Sequence, residues 1–182
     1  PKLAALTNAL EQVLSKDELG DVRGIVFVTT RAAAQRTLLY LRRNAASTLP
    51  SLKPAIYVGH GKGGDQGGVR MSNAAQNKTL VDFEQGKTNL LVATSVLEEG
   101  LDVRGCDFVM RLDSCRSARS YLQSGGRAAR GRDGGNARFV VVYAEGTVEE
   151  TALKRSRQQA KMHTLLLEQK RQDQLSSGTQ TT

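Results

Sequence analysis

The stretch that decides the architecture is residues 24–43, GIVFVTTRAAAQRTLLYLRR. Its first part, Gly24-Ile25-Val26-Phe27-Val28-Thr29, is a short, continuous, β-branched apolar run of the kind found in strands buried on both faces. From Arg31 to Arg43 the sequence is rich in Ala and Leu and reads as a helix starting directly after the strand. Parallel strands cannot be joined by a tight hairpin and need a crossover, usually a helix. A buried strand running straight into a helix is therefore the building unit of a parallel sheet.

The unit recurs on either side. Upstream, Leu3, Leu6, Leu10, Val13 and Leu14 fall at helical spacing, and Gly20 closes that helix. Downstream, Pro50 and Pro54 bracket a turn before a second strand at 55–58. A loop with six glycines in the ten residues 59–68 follows. Ser72 is placed to cap a helix running to about Phe83. Further strands are predicted at 89–93, 108–112 and 138–143, with a short helix over 117–123. Thr147 caps a long helix from 148 to about 171. The end of the chain is rich in Ser, Thr, Gly and Gln and reads as flexible. The expected division is thus one domain at 1–171 and a flexible tail at 172–182. The alternation predicts the α/β class, with helices on both faces of a mainly parallel sheet. No internal repeat is visible. In such folds the working residues lie in loops beyond the C-terminal ends of the strands. That rule points to Thr29-Thr30-Arg31, to Gly59-His60-Gly61-Lys62, to Thr94-Ser95 and to the segment after Leu112.

Composition narrows the function classes. The chain has 182 residues, 39% of them apolar and 24% charged, which suffices for a core and excludes global disorder. No apolar run approaches the length of a membrane span, and Pro1-Lys2-Leu3-Ala4-Ala5 carries no secretory signal. Starting at a proline without an initiator Met, the chain is read as a piece of a longer protein. Cys106 and Cys115, even with the two histidines, supply neither a disulfide framework nor a structural zinc site, so no metal ligands are assigned. Lys and Arg total 26 against 18 acids, a net charge of +8, which suits a polyanionic partner; a solvated basic surface is the alternative. With 4% aromatic residues and no Trp, there is little from which to build a base-stacking platform. Nucleic acid bound here would be held by its backbone.

The phosphate loop GxxxxGK[ST] is absent: Gly61-Lys62 is followed by Gly63. No DExD/H box is present, and Asp17-Glu18 sits in a polar turn. His60 and His163 form no nucleophilic constellation with Ser or Cys. The chain alone lacks the parts that hold a nucleotide's phosphates and metal. Two segments do carry chemistry. Gln123-Ser124-Gly125-Gly126-Arg127-Ala128-Ala129-Arg130 places two guanidinium groups about one helical turn apart, a fork suited to the charge on a phosphoryl group in transfer; its alternative is a solvated Arg/Gly loop. The segment 93–103 follows a buried strand. Its Thr94 and Ser95 can donate to a phosphate, and Asp102 can accept from a ribose hydroxyl; its alternative is a helix cap followed by an acidic turn. Arg31 and the threonines before it would suit a nucleic-acid phosphate at a helix start, against a solvent-facing Arg. Cys106 and Met110 are expected in the core, and Arg132 and Arg138 on the surface. The basic helix from Val148 is a solvated face or packs on a partner domain through Leu165, Leu166 and Leu167.

Taken together, these segments resemble the second RecA-like domain of superfamily 2 helicases over about residues 1–165. Phe27 to Arg31 matches motif IV, Ala93 to Val103 motif V, and Gln123 to Arg130 motif VI. Ala93-Thr94-Ser95-Val96, Glu98-Glu99-Gly100-Leu101-Asp102-Val103, Cys106, Val109 to Asp113 and Arg119 to Ser124 are most similar to the RIG-I/Dicer group. The resemblance implies a RecA-like three-layer sandwich, and the C-terminal half of an ATP-dependent double-stranded-RNA helicase or translocase. It makes Arg127 and Arg130 catalytic arginine fingers. It places Gly100, Asp102 and Gln123 on ATP, and Thr30, Arg31, Gly59, His60, Thr94 and Ser95 on nucleic acid. ATP and Mg2+ are the implied cofactors, the metal held mainly by a first RecA-like domain that carries the P-loop and acidic box. Implied partners are double-stranded RNA, that first domain and the helical insertion of the same parent chain, with no membrane. The implied location is cytoplasmic, with the nucleus second, and the isolated chain is expected to be inactive. One departure stands out. The RIG-I/Dicer pattern reads Gln-x-x-Gly-Arg-x-Arg, and Ala129 occupies the place of its second arginine. Arg130 gives instead the spacing of DEAD-box and Hef/Fanconi M helicases, which the Gly146-Thr147 helix start and Arg157-Gln158 also resemble. A DNA fork helicase domain and a non-catalytic duplex-RNA-sensing module therefore stand as alternatives.

Overall fold

In chain order the computed structural model contains α1 (Lys2–Leu14), β1 (Gly24–Phe27), α2 (Arg31–Asn44), β2 (Pro54–Tyr57), α3 (Asn73–Glu84), β3 (Leu90–Ala93), β4 (Phe108–Arg111), β5 (Arg138–Val141) and α4 (Val148–Gly178). It describes residues 2–14, 22–44, 47–59, 69–94, 97, 106–113 and 138–178. The strands form one five-stranded sheet in the order β2-β3-β1-β4-β5. Each pairing is parallel, so the mainly parallel sheet read from the sequence is wholly parallel among the described residues.

Burial follows from that order. β1, β3 and β4 are central, and every residue in them is buried. β2 and β5 lie at the edges and are mostly half-buried. β2 opens on Pro54, which has no N–H to give to a ladder and is tolerated in a strand at an edge or a first position. One layer of core packs Val26, Val28, Leu90, Val92, Phe108 and Met110 with Leu6, Leu10 and Val13 of α1 and Ala34 and Leu41 of α2. The other packs Ile25, Phe27, Tyr57, Leu91 and Val109 with Phe83 of α3, Leu97 and Cys106. Strand residues of one parity face one helical layer and the other parity faces the second, which makes three layers.

The caps are local. Ser72 accepts from the Ala75 amide, as its position before the predicted helix implies. Thr147 accepts from the Glu149 amide at the start of α4. Lys2 pairs with Glu149, tying the beginnings of α1 and α4 together. Two details differ from expectation. Arg138 is half-buried and donates to the Val13 carbonyl at 3.2 Å, so it closes the end of α1 instead of lying on the surface. And α4 runs on through Gly178 beyond Arg171: residues 172–178 contain no proline, and a helix already propagating adds residues of modest propensity at little cost. Cys106 and Met110 are fully buried, as expected.

Candidate functional site

The sheet is flush at one end. Tyr57, Ala93, Phe27 and Arg111 are register partners across four adjacent strands, so the residues after them share one edge. The ladder continues one step beyond each strand. Thr94 N–H donates to Tyr57 O at 3.3 Å, Val28 N–H to Ala93 O at 2.9 Å, and Leu112 N–H to Phe27 O at 3.0 Å. Gly59, Thr94, Thr30 and Asp113 therefore leave from fixed anchors.

Thr30 caps α2. Its hydroxyl accepts from the Ala33 amide at 3.1 Å, and its carbonyl accepts from Ala34 at 2.9 Å. The first turn of α2 thus opens at the sheet edge, with the positive end of its dipole outward. Arg31 is the first residue of the helix and is 7% exposed, so it is not the solvent-facing arginine that the bland reading supposes. A guanidinium in the first turn opposes the helix dipole, so nothing in helix formation itself favours it there. Thr94 is 6% exposed, and its carbonyl accepts from Leu97 N–H at 3.1 Å. Gly59 follows Val58, which is held twice over: its carbonyl accepts from buried Gln76 Nε2 at 2.7 Å, and its N–H donates to Met71 Sδ. Burial pushes the neighbouring Tyr57 phenol above its ordinary range.

The structure thus brings Thr30, Arg31, Gly59 and Thr94 to one edge. His60, Ser95, Gly100, Asp102, Gln123, Arg127 and Arg130 lie outside the described residues. Three features at this edge escape the sequence reading. Arg111, buried on β4, stands over the Phe27 ring at 5.8 Å from its centroid. Gln76 carries no local signal beyond its place on α3. Asp113 accepts from both donors of Thr29, through Oδ2, at 2.7 Å from N and 2.6 Å from Oγ1. Its position after a strand and its place in the Val109 to Asp113 match were the clues, and neither gave it a role.

Among the described residues no group of three or more His, Cys, Asp and Glu could hold a metal ion, and no helix is long and apolar enough to cross a membrane.

The family described as Helicase conserved C-terminal domain matches residues 2–132. Protein Dicer of Schizosaccharomyces pombe is 37% identical over 127 residues, 70% of this chain and 9% of that protein. The ATP-dependent DNA helicase fml1 of the same organism is 35% identical over 138 residues, 74% of this chain and 15% of that protein. The mouse ATP-dependent RNA helicase DHX58 is 36% identical over 125 residues, 68% of this chain and 18% of that protein. The chain therefore spans less than a fifth of the length of each of these relatives. Among solved structures, the Pyrococcus furiosus Hef helicase domain superposes with a TM-score of 0.63 at 30% identity, covering 86% of this chain and 28% of that one.

Proposed function

We propose a function for this chain from the premise that it belongs to the helicase conserved C-terminal domain family and is similar to Dicer and RIG-I-like helicases. In this reading it is the second RecA-like half of an ATP-dependent double-stranded-RNA helicase or translocase. The observation that carries it is the gathering of Thr30, Arg31, Gly59 and Thr94 at the flush end of the sheet.

One strand of the duplex is held by its backbone along that edge. The first turn of α2 supplies amides and a dipole suited to a phosphate, Arg31 supplies charge, and Thr94 and Ser95 supply hydroxyls. Gly59 and His60 open the glycine-rich loop, where the lack of a Cβ lets the backbone come close to a phosphate. ATP is the substrate of the second face, in a cleft shared with a first RecA-like domain of the same parent chain. Gly100, Asp102 and Gln123 lie against the nucleotide. Arg127 and Arg130 stabilise the charge spread over the equatorial oxygens of the transferred phosphoryl group. When the γ-phosphate is gone their contacts lapse, the cleft opens and the grip advances. Mg2+ would neutralise the phosphates, held mainly by the first domain, to which the resemblance assigns the P-loop and acidic box. The isolated chain then turns over no ATP. The reading favours the cytoplasm and a role in RNA silencing.

The test is steady-state ATP hydrolysis by the full-length protein containing this chain, alone, with blunt duplex RNA and with forked DNA. Stimulation by duplex RNA supports the reading. The likeness to fml1 and Hef favours a second one: stimulation by forked DNA alone would make this a DNA fork helicase domain. Duplex-RNA binding with no hydrolysis would make it a sensing module.

A further inference from the structure

The connectivity of the sheet reverses between β1 and β4. From β1 the chain crosses to β2 and returns through β3; from β4 it passes outward to β5 on the other side. Open parallel sheets bind their ligands in the crevice outside the strand ends at such a point. Here the crevice is bridged. The β1–β4 ladder runs one step past the strands, with Leu112 N–H on Phe27 O. The next rung of a parallel ladder would be Thr29 N–H on the Leu112 carbonyl. The Asp113 carboxylate takes that N–H instead, at 2.7 Å, and takes the Thr29 hydroxyl on the same oxygen at 2.6 Å. A side chain has replaced the main chain as acceptor. It takes the Leu112 carbonyl's place on Thr29 while still holding Thr29 at the sheet edge.

What Thr29 precedes gives the contact its purpose. Thr30 caps α2 through its own hydroxyl, and Arg31 is the buried first residue of that helix. Thr29 is the hinge between the end of the sheet and this turn, and both of its donors are committed to Asp113. A carboxylate on a surface that attracts phosphate is unfavourable by charge alone, and two donors on one oxygen offset much of that. We propose that Asp113 is a positioning residue for the nucleic-acid grip: by clasping Thr29 it sets the angle at which Thr30 and Arg31 meet a phosphodiester backbone. The proposal rests on the reading of this edge as a nucleic-acid site.

The experiment uses the full-length enzyme and a blunt RNA duplex of fixed length. Three quantities are measured: duplex affinity by fluorescence anisotropy, ATP turnover against duplex concentration, and melting temperature. Thr29→Val keeps the volume and removes the hydroxyl donor, Thr29→Ser keeps it, and Asp113→Ala removes the acceptor. Hydrogen bonds to a charged group at a wet edge are expected to change affinity about five- to tenfold. Thr29→Val and Asp113→Ala should therefore weaken duplex affinity and raise the half-saturating duplex concentration by that factor. Turnover at saturating duplex should stay within about twofold of wild type, a split expected of lost binding that is uniform along the reaction. Thr29→Ser should match wild type, and the double variant should be no weaker than Asp113→Ala. Unchanged affinity in both variants overturns the proposal. So does tighter binding, which would make Asp113 a simple repulsive charge. A fall in saturated turnover and melting temperature at constant half-saturation would make the clasp merely structural and overturn it too. A wild-type enzyme that neither binds duplex nor responds to it refutes the underlying reading, and this proposal with it.

Discussion

Replacing Gly24 by Ala should be costly. A Cβ at this position would lie 2.1 Å from Cζ of Phe108, 2.2 Å from Cε2 and 2.4 Å from Cε1. Carbon atoms in contact sit about 3.5–4.0 Å apart, so the ring would have to retreat by roughly 1.5 Å. Neither side can yield easily. Gly24 and Phe108 are register partners on adjacent central strands, and Gly24 N–H is bonded to the Asn89 carbonyl at 2.9 Å. Phe108 is 1% exposed and packed in the layer that faces α1 and α2. Overpacking a filled core costs about 1–3 kcal/mol, and a clash held on both sides by paired backbone belongs near the top of that range. For a chain of this size that is about 5–10 °C in Tm. The assay is thermal and urea unfolding of the purified chain. Phe108→Leu, which removes the ring, should cost stability alone yet relieve Gly24→Ala, so the double variant should lose at least about 1 kcal/mol less than the sum. A Gly24→Ala protein within about 0.5 kcal/mol of wild type, or strict additivity with Phe108→Leu, would refute the packing argument.

Other expectations follow from single contacts. Gln76→Leu strips the buried Val58 carbonyl of its side-chain donor and should cost about 1–3 kcal/mol in urea unfolding; no loss would mean that water replaces the amide. If Arg127 and Arg130 are the proposed fingers, Arg127→Ala and Arg130→Ala in the full-length protein should each lower ATP turnover by on the order of 10³-fold with duplex affinity nearly intact, because a finger acts on charge that develops in the transition state. Full turnover in Arg130→Ala would show that the second finger is another residue. The hydrogen bond from Lys78 holds the Asp82 carboxyl below its ordinary value of 3.8, and the hydrogen bond from Lys154 holds Glu150 below 4.5, helped by Gly146 N–H. A lowered folded pKa contributes stability above the ordinary value and loses it as pH falls through the folded one. The Tm difference between wild type and an Asp82→Asn, Glu150→Gln double variant should therefore be constant at neutral pH and shrink below about pH 4; a difference that grows in acid would contradict the sign.

How much could be read in advance depends on the range of each interaction. The run 24–28 passing into Ala- and Leu-rich sequence determined a buried strand and its following helix, because apolar continuity and periodicity act within a few residues. Ser72 determined its own cap, since the hydroxyl reaches only the next turn. The rule that parallel strands expose function at their C-terminal ends was enough to place Thr30, Arg31, Gly59 and Thr94 at one edge. The Gln123–Arg130 pattern was legible as a motif, although its residues lie outside those described.

Tertiary structure decided which segments meet. β1 and β3 are wholly apolar and β4 is apolar up to Arg111, and nothing in their composition says that β1 lies between the other two or that β2 and β5 take the edges. Strand order settles whether a glycine faces an open groove or the ring of Phe108. It also brings Asp113 to Thr29 across 84 residues, and turns Arg138 from a surface charge into the partner of the Val13 carbonyl. Such contacts are made only after distant strands have paired, when backbone groups released at the ends of the ladder need acceptors and donors. Local sequence supplies the side chains that can answer that need; the fold alone determines which of them are within reach.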